Sequence, residues 1–469
     1  MKKRNPYKVL IGNSIIFAIG NIGSKLITFF MLPLYTYTLT KNEYGVTDLV
    51  QTTVSFMLPV VYMSVSDAVL RFGMENYKNP RKVFSVGFVL TCTISVLVLA
   101  FTIVLQAFSV QYALYVGLFL IVQSFQSVLS QMAKAIGKQG TFAANGIILA
   151  LITALLNVLA LVVLKLGVMG YFWSLILGLV ISDLYLCRRI KIQNLVDIRH
   201  LDAEKLKEML RYSIPLIPNA ISWWASNDIN RYFILLFIGS AGNGIFAVSS
   251  KIPSILNLLN SIFFQSWQLS AIEQYDDKEN RNFYTVIFRT YSQFLFLATL
   301  ILICLTKVFM TILVSPNFFI AWKYTPFLLV TVLYQCFSGL IGQIYVAAKK
   351  TKNIFSTTII GMVVNVILTA ILLPLIGLQG AGISSAISFL VVWLVRQIQV
   401  EKLVHIEINC RNIILNNIII MIQITLLFFD IKLKSYVLLS MFVITISLFV
   451  NKELIENIIF QTKRLLFNK

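Results

Sequence analysis

The chain has 469 residues, of which 58% are apolar and 12% are charged, and its mean hydropathy is +0.83. A soluble chain of this length would expose far more apolar surface than it could bury, so the composition excludes a water-soluble globular protein. The net charge of +20 is typical of nucleic-acid-binding proteins, but the basic residues never form one continuous face, which disfavours that class.

Apolar stretches, most of them 20 to 28 residues long, follow one another along the chain. A helix of this length crosses a hydrocarbon core of about 30 Å, whereas a strand would need about half as many residues. Alternation of period two is missing, so helices are predicted rather than a barrel. We predict fourteen transmembrane helices, at residues 11–38, 45–70, 83–108, 112–133, 142–164, 169–186, 214–238, 245–269, 291–314, 324–348, 354–376, 381–395, 413–429 and 437–450.

The segments between these stretches alternate between rich and poor in Lys and Arg. With the amino terminus inside, 30 basic residues fall on the cytoplasmic side, 5 outside and 4 within spans. Because this distribution obeys the positive-inside rule, both termini are predicted to be cytoplasmic. The net charge is then explained by topology and by anionic lipid of the inner leaflet.

An internal repeat with an offset of about 200 to 212 residues divides the chain. The matched segments are 44–47 with 243–246, 157–158 with 365–366, and 167–170 with 377–380. Six spans separate matched positions, so the halves are parallel copies. We predict an all-α integral membrane protein made of an N-terminal six-helix bundle (1–190), a cytoplasmic linker (191–210), a C-terminal six-helix bundle (211–402), and two further helices with a cytoplasmic tail (403–469).

The linker contains a helix-start pattern, in which Asp202 and Glu204 precede a short helix with Leu206 and Met209 on one side. An acidic cap residue followed by apolar residues at helical spacing is typical of an amphipathic helix. The sequence therefore predicts an interfacial linker helix.

Polar residues at three- and four-residue spacing mark the first two spans of each half, and a polar stripe facing lipid would cost several kcal/mol. We therefore expect these helices to line a cavity, with Asn21, Asn227 and Asn257 among the lining residues. Lys25 lies about 21 Å into its helix, too deep to reach either surface. An unpaired amine at this depth costs roughly 2.5 to 3.5 kcal/mol, which favours an anionic cargo. A structural pair with an acidic residue such as Asp48 is the alternative.

Two further basic residues, Arg231 and Lys251, fall in the outer half of the bilayer and are candidates to extend the same positive surface. Asp228 and Arg231 are three residues apart on one helix, so a local ion pair explains them as well as substrate binding does. Lys251 lies about 12 Å from its helix start, where reaching the outer interface is the alternative.

Chemistry-bearing motifs are scarce. The sequence contains no H-E-x-x-H, G-x-S-x-G or G-x-x-x-x-G-K-[ST], its five cysteines form no C-x-x-C, and both histidines lie outside the spans. We therefore predict no enzyme activity, no metal and no cofactor. A Na⁺ or H⁺ coupling ion stays open.

Two runs carry a resemblance to a known family. The second half contains RYSIPLIPNAISWWASNDINRYFILLFIGSAGNGIFAVSSKIPSILNLL, within residues 211–272, and the first half contains GNSIIFAIGNIGSKLITFFMLPLYTYTLTKNEYGVTDLVQ. Both resemble the signatures of bacterial oligosaccharide flippases of the Wzx type, which belong to the multidrug/oligosaccharidyl-lipid/polysaccharide exporter superfamily. The number of spans extends the similarity over essentially the whole chain.

This resemblance implies a MATE-like V of two six-helix bundles in the bacterial cell membrane. It also implies alternating access that carries undecaprenyl-diphosphate-linked oligosaccharide to the outer leaflet for capsule, exopolysaccharide or O-antigen synthesis. Lys25, Arg231 and Lys251 fit the family's basic cavity, and its Asp-Arg pair is spread here as Asp228-x-x-Arg231. The implied partners are the lipid-linked oligosaccharide, membrane lipids and polysaccharide polymerase machinery, with no nucleic acid.

Three alternatives stay open. A lipid II flippase of the same superfamily would have more cavity arginines, and a multidrug/ion antiporter would have an acidic cation site. A membrane glycosyltransferase would normally have a large outer loop, whereas the outer loops here are only a few residues long.

Overall fold

The computed structural model describes residues 22–75, 80–197, 202–273, 283–348, 350–429 and 433–452. Within these ranges the chain is almost entirely helical and contains no β-strand, as the hydropathy pattern predicts. The start of the first predicted span, with Asn21, and the end of the tail lie outside the described residues. The helices fall into two compact units: residues up to Tyr232 with Ser240–Gly244, and Phe233–Gly239 with residues from Ile245 onward. The bundle boundaries predicted from the repeat stay a prediction.

The described helices lie along the predicted spans with different bounds, and the number of fourteen spans stays a prediction. They are α1 (22–30), α2 (Leu32–Thr38), α3 (Lys41–Val61), α4 (Val65–Glu75), α5 (Arg81–Ala107), α6 (Ala113–Ala135), α7 (Gln139–Asn157), α8 (Gly167–Ile190), α9 (Ala203–Ser213), α10 (Ile217–Asp228), α11 (Asn230–Phe237), α12 (Ser240–Ser249), α13 (Lys251–Glu273), α14 (Phe283–Leu313), α15 (Thr325–Ala347), α16 (Thr351–Ile376), α17 (Leu378–Val400), α18 (Cys410–Phe428) and α19 (Leu433–Val450). A π-helical stretch, Val158–Val163, continues α7.

Nine helices within the described ranges are long and apolar enough to cross a membrane by length and composition. The pairs α3–α4 and α12–α13, bent by 55° and 42°, raise this number to eleven. In the described part of the first predicted span and in the seventh, the helix is interrupted at Met31 and at Ile229. The predicted fourteen therefore include spans that are broken rather than straight.

Prolines lie close to several of these breaks. Pro33 is the second residue of α2, just after Met31, and Pro59 precedes the turn between α3 and α4. A proline supplies no amide hydrogen and clashes with the carbonyl four residues earlier, which bends a helix. Met63 and Ser64 complete the α3–α4 turn with φ of 52° and 49°, a left-handed conformation that is uncommon outside glycine.

In the first unit, α6 packs against α3, α4, α5 and α8. The linker helix predicted from the sequence is α9, and it packs on α4 and α5 with Met209 fully buried. The Asp202 carboxylate caps this helix by accepting hydrogen bonds from the amides of Glu204 at 3.0 Å and Lys205 at 3.1 Å. The linker helix α9 is thus part of the first unit.

In the second unit, α15 packs against α13, α14 and α17, and α18 and α19 pack on each other and on α14. Arg396 of α17 is only 2% exposed and makes four hydrogen bonds. Its guanidinium donates to the Thr357 and Thr358 hydroxyls at 2.9 and 3.1 Å and to the carbonyls of Ser338 and Ile354 at 2.8 and 3.4 Å. All four acceptors are neutral, so this arginine joins α15, α16 and α17 through hydrogen bonds.

The glycine pairs of the repeat make the same turn in both units. Gly167 and Gly377 have φ of 58° and 64°, which only glycine adopts without strain. Three residues later, a Cβ on Gly170 would lie 2.8 Å from the Leu166 Cβ, and a Cβ on Gly380 would lie 2.5 Å from the Leu372 carbonyl carbon. The repeated glycines therefore share a steric role as well as a sequence position.

Candidate functional site

A capping box fixes the start of α3, the helix that carries most of the candidate site. The Thr40 hydroxyl accepts a hydrogen bond from the Glu43 amide at 3.2 Å, and the Glu43 carboxylate accepts one from the Thr40 amide at 2.8 Å. With this start, Tyr44, Asp48 and Gln51 follow one another at helical spacing on one side of α3.

Next to this cap, α3 meets the beginning of α12 at Gly45 and Gly244, which are matched positions of the repeat. A Cβ on Gly45 would lie 1.8 Å from the Ser240 carbonyl oxygen, and a Cβ on Gly244 would lie 2.0 Å from the Lys41 carbonyl oxygen. Neither position can hold a side chain in this packing. The sequence comparison found these glycines as a repeat, and the structure shows that they touch.

The close approach brings Asn243 against α3. This side chain is fully buried, and its amide nitrogen donates to the Gly45 carbonyl at 3.1 Å and to the Asp48 carboxylate at 3.3 Å. In the sequence, Asn243 stood out only as part of the repeat. Its polar side chain at a glycine-rich helix start was the signal that would have identified it.

Asp48, Asp228 and Arg231 form an ion cluster, which we call the acidic–arginine cluster. The Arg231 Nε donates to Asp48 Oδ2 at 2.6 Å, and its Nη1 donates to Asp228 Oδ1 at 2.5 Å. The side chains are 14% exposed for Arg231, 17% for Asp48 and 31% for Asp228. Charge-assisted bonds to two carboxylates commit the arginine to this cluster. With both carboxylates ionised, the cluster carries one net negative charge.

This geometry decides between hypotheses that the sequence left open. The local ion pair between Asp228 and Arg231 forms. The suggested pair between Lys25 and Asp48 does not, because Asp48 is held by Arg231 instead. Lys25 lies on α1 with its side chain exposed. Its role toward an anionic cargo stays a prediction.

The other predicted residues lie elsewhere along the chain. Asn227 is exposed, and its amide donates back to the Trp223 carbonyl at 2.8 Å. Lys251 and Asn257, both half-buried, lie on α13 in the second unit. The structure therefore brings together three of the predicted residues and adds Asn243 to them.

Buried tyrosines and amides pack around the same part of α3. The ring of Tyr35 lies 5.2 Å from that of Tyr171 and 6.2 Å from that of Tyr44, between centroids. The Gln51 amide donates to the Tyr171 hydroxyl at 2.9 Å, and the Asn157 amide donates to the Tyr35 hydroxyl at 3.3 Å. These tyrosines could not be identified from the sequence, because a single Tyr in an apolar span is more typical of a packing residue than of a site residue.

The seventh predicted span is anchored to α3 on both sides of its break at Ile229. Before the break, the Trp224 indole N–H donates to the Thr52 carbonyl at 3.1 Å, and its ring lies 4.6 Å from that of Phe56. After the break, the hydroxyls of Tyr232 and Thr53 lie 2.7 Å apart. Trp224 is thus a packing residue, and these contacts hold Asp228 and Arg231 in position.

Within the ranges that the structure describes, no group of three His, Cys, Asp or Glu side chains is arranged to hold a metal ion. What the site offers is a set of fixed charges and amides on broken helices. Broken helices at membrane depth are tolerated where the freed backbone groups find protein partners or line a cavity.

This all-helical, multi-pass architecture is the fold of membrane transporters of the MATE and MurJ type. A structure of the lipid II flippase MurJ in an inward closed conformation matches 95% of this chain and 100% of its own, with a TM-score of 0.72 and 14% identity. An inward-facing multidrug resistance MATE transporter of the MOP superfamily matches 84% of this chain and 98% of its own, with a TM-score of 0.65 and 14% identity. These likenesses confirm the predicted fold.

The family follows from the sequence. The model of a family described as polysaccharide biosynthesis proteins matches residues 37–319, more than half of the chain, and the protein belongs to that family. The resemblance predicted from its two signature runs is thereby confirmed. A relative, Lsg locus putative protein 1 of Haemophilus influenzae, is 23% identical over 259 residues, which cover 52% of this chain and 62% of the relative.

Proposed function

We propose that this protein is a flippase that carries undecaprenyl-diphosphate-linked oligosaccharide repeat units from the cytoplasmic to the outer leaflet of a bacterial cell membrane. It serves capsule, exopolysaccharide or O-antigen synthesis, works by alternating access and makes no covalent bond. The main support is the match to a polysaccharide biosynthesis family in a chain that shares its fold with a flippase.

The physical task is to move a doubly charged diphosphate through a medium that solvates it poorly. Fixed cations and polar groups in a wet passage lower this barrier, while the prenyl tail stays in the lipid. Arg231 is neutralised by two carboxylates, so it holds structure rather than cargo. Lys25, exposed and without an ion pair among the described residues, is the cation that we assign to the head group.

A lipid II flippase is the second candidate, since the MurJ structure covers nearly the whole chain. A multidrug or ion antiporter is less well supported, because the family match concerns polysaccharide biosynthesis. The three hypotheses differ in the transported substrate, so transport assays distinguish them.

The first experiment deletes the gene in its host. We expect loss of surface polysaccharide and accumulation of lipid-linked repeat units in the inner leaflet. Normal surface polysaccharide, or unchanged levels of the lipid-linked precursor, would contradict the proposal.

The second experiment uses purified protein in vesicles with a fluorescent diphosphate-linked lipid sugar. Flipping should be fast with the wild type and at least about tenfold slower with Lys25→Ala, since a loss of about 1.4 kcal/mol in the barrier corresponds to a tenfold change in rate. Lys402→Ala, an exposed loop lysine, is the matched control and should flip normally. A drug antiporter would leave the distribution of the lipid between leaflets untouched.

A further inference from the structure

Asp183, in the membrane-spanning helix α8, is a buried acid that the proposed flipping mechanism does not use. Its side chain is 9% exposed. The Oδ1 atom is fully enclosed and has no hydrogen-bond partner, and no ion pair or hydrogen bond joins Asp183 to another residue in the described ranges. An acid in this state is unusual, because buried carboxylates are normally paired.

The side of α8 that carries Asp183 is otherwise apolar. Leu186 and Ile190, three and seven residues further along, belong to a closed apolar cluster. The α6 residues Val128, Leu129 and Met132 contribute to the same cluster. Asp183 therefore lies beside a dry contact between α6 and α8.

Among the described residues, no cation forms an ion pair with Asp183. The elements packed against α8 are α3, α6, α7 and the turns that flank α8. Of their ionisable groups, Lys134 of α6 lies 4.0 Å above the Phe142 ring, and Asp48 of α3 binds Arg231. The helix α7, the π-helical stretch Val158–Val163 and the turn Ile192–Asn194 have no ionisable side chain. Lys165 and Lys191 lie just outside the two ends of α8, at least eight residues from Asp183, which is about 12 Å along the helix. Lys138, just before α7, donates to the Arg189 carbonyl at the end of α8. The other ionisable groups on these elements are Lys41, Glu43 and Tyr44 on α3, Tyr115 on α6, and Tyr171, Tyr185, Cys187, Arg188 and Arg189 on α8 itself.

These remaining groups are engaged elsewhere or lie at the helix ends. Glu43 belongs to the α3 cap, and the Tyr171 hydroxyl accepts from Gln51. Arg189 lies 5.5 Å from the centre of the Tyr185 ring, at the exposed end of α8. The Cys187 thiol lies one helical turn from Asp183 on the same helix. A thiol supplies no positive charge.

Among the polar side chains around the neighbouring residue Ser182, one oxygen lacks a hydrogen-bond donor. The Ser182 hydroxyl donates to Asn145 Oδ1 at 2.8 Å and accepts from the Gln126 amide at 3.2 Å. In this arrangement Gln126 Oε1 is buried without a donor. A protonated carboxyl group has one O–H donor and removes the cost of a buried charge, which is several kcal/mol.

We propose that Asp183 is a proton-binding site of the first unit, which holds its proton at neutral pH and releases it only when the contact between α6 and α8 opens to water. The acid lies seven residues before Ile190, or about 10 Å from the helix end that is predicted to be cytoplasmic. The proton therefore comes from the cytoplasmic side.

Infrared spectroscopy of the full-length protein in lipid nanodiscs tests the protonation state directly. We expect one protonated carboxyl group at pH 7 that disappears in Asp183→Asn and persists in Asp202→Asn, the exposed helix cap. If the carboxyl band of Asp183→Asn equals that of the wild type, Asp183 is ionised and the proposal is wrong. If added Na⁺ at constant pH removes the band, the site binds a metal cation and the proposal is equally wrong.

Hydrogen exchange of the α6 and α8 amides tests the coupling to helix packing. Exchange should rise more steeply with pH in the wild type than in Asp183→Asn, which mimics the neutral acid in size and charge. An equal pH dependence in both proteins would contradict the coupling. Thermal unfolding of the variant verifies that it folds. Neither readout requires flipping, so their outcome is independent of the proposed function.

Discussion

Removing Arg231 should destabilise the first unit strongly, because this side chain holds two acids on different helices. Asp48 lies on α3, at the other end of a 2.6 Å bond, and Asp228 ends α10. In Arg231→Ala, both carboxylates lose their cation while they stay largely shielded from water. Two like charges then remain close together in the same site.

The magnitude follows from the bonds and their exposure. A hydrogen bond to a charged group contributes about 1.5 to 3 kcal/mol, and breaking a buried pair costs about 3 to 5 kcal/mol. Because Asp228 is 31% exposed, water recovers part of the loss on that side. We expect the free energy of unfolding to fall by about 3 kcal/mol.

Equilibrium unfolding in detergent, followed by tryptophan fluorescence, measures this change. Arg71→Ala is the matched control, since Arg71 and Glu75 form a pair with side chains 60% and 47% exposed that should contribute less than about 1 kcal/mol. Adding Asp48→Asn and Asp228→Asn to Arg231→Ala should restore part of the stability by removing the unpaired charges. If Arg231→Ala were as stable as Arg71→Ala, the cluster would not be a structural element of this fold.

Three further perturbations test other parts of the structure by the same unfolding assay. Gly45→Ala should cost at least about 2 kcal/mol of unfolding free energy, because its Cβ would lie 1.8 Å from the Ser240 carbonyl oxygen. Gly140→Ala is the control and should be nearly neutral, since no atom lies within 4 Å of the added Cβ. Similar values for both variants would refute the close helix contact. Arg396→Lys should lower the free energy of unfolding by about 2 to 4 kcal/mol, since an ammonium group cannot reproduce four hydrogen bonds in the guanidinium geometry. A stability equal to that of the wild type would show that these bonds are dispensable. Asp202→Ala should cost about 1 kcal/mol and increase hydrogen exchange in α9, whereas unchanged exchange would mean that the cap does not support this helix.

The positions of the helices could be predicted from the sequence because the membrane makes secondary structure a local problem. Each span must satisfy its backbone hydrogen bonds within itself, so an apolar stretch of sufficient length is sufficient to predict a helix. The same locality explains the capping of α9 by Asp202, which depends on residues two and three positions away. The interruptions at Met31, Met63 and Ile229 could not be predicted in this way, because hydropathy does not report whether a span is continuous.

Only part of the candidate site could be predicted from the sequence. Asp228 and Arg231 are three residues apart, and their pairing follows from helix geometry. The bond between Arg231 and Asp48 joins residues 183 positions apart, and the sequence offered Lys25 as an equally reasonable partner for that acid. Residue spacing along the chain cannot show which of the two cations, Lys25 or Arg231, packs next to Asp48.

By itself, then, the sequence determined the membrane class, the succession of helices, the repeat and the family signatures, since all of these are written in local patterns of apolar, basic and glycine residues. Tertiary structure decided which charges meet. The contact of Gly45 with Gly244 draws Asn243 and Asp48 together, and Arg231 completes the cluster from α11. Asp183 is isolated for the same reason, because whether a buried acid finds a cation depends on what the neighbouring helices carry at its depth.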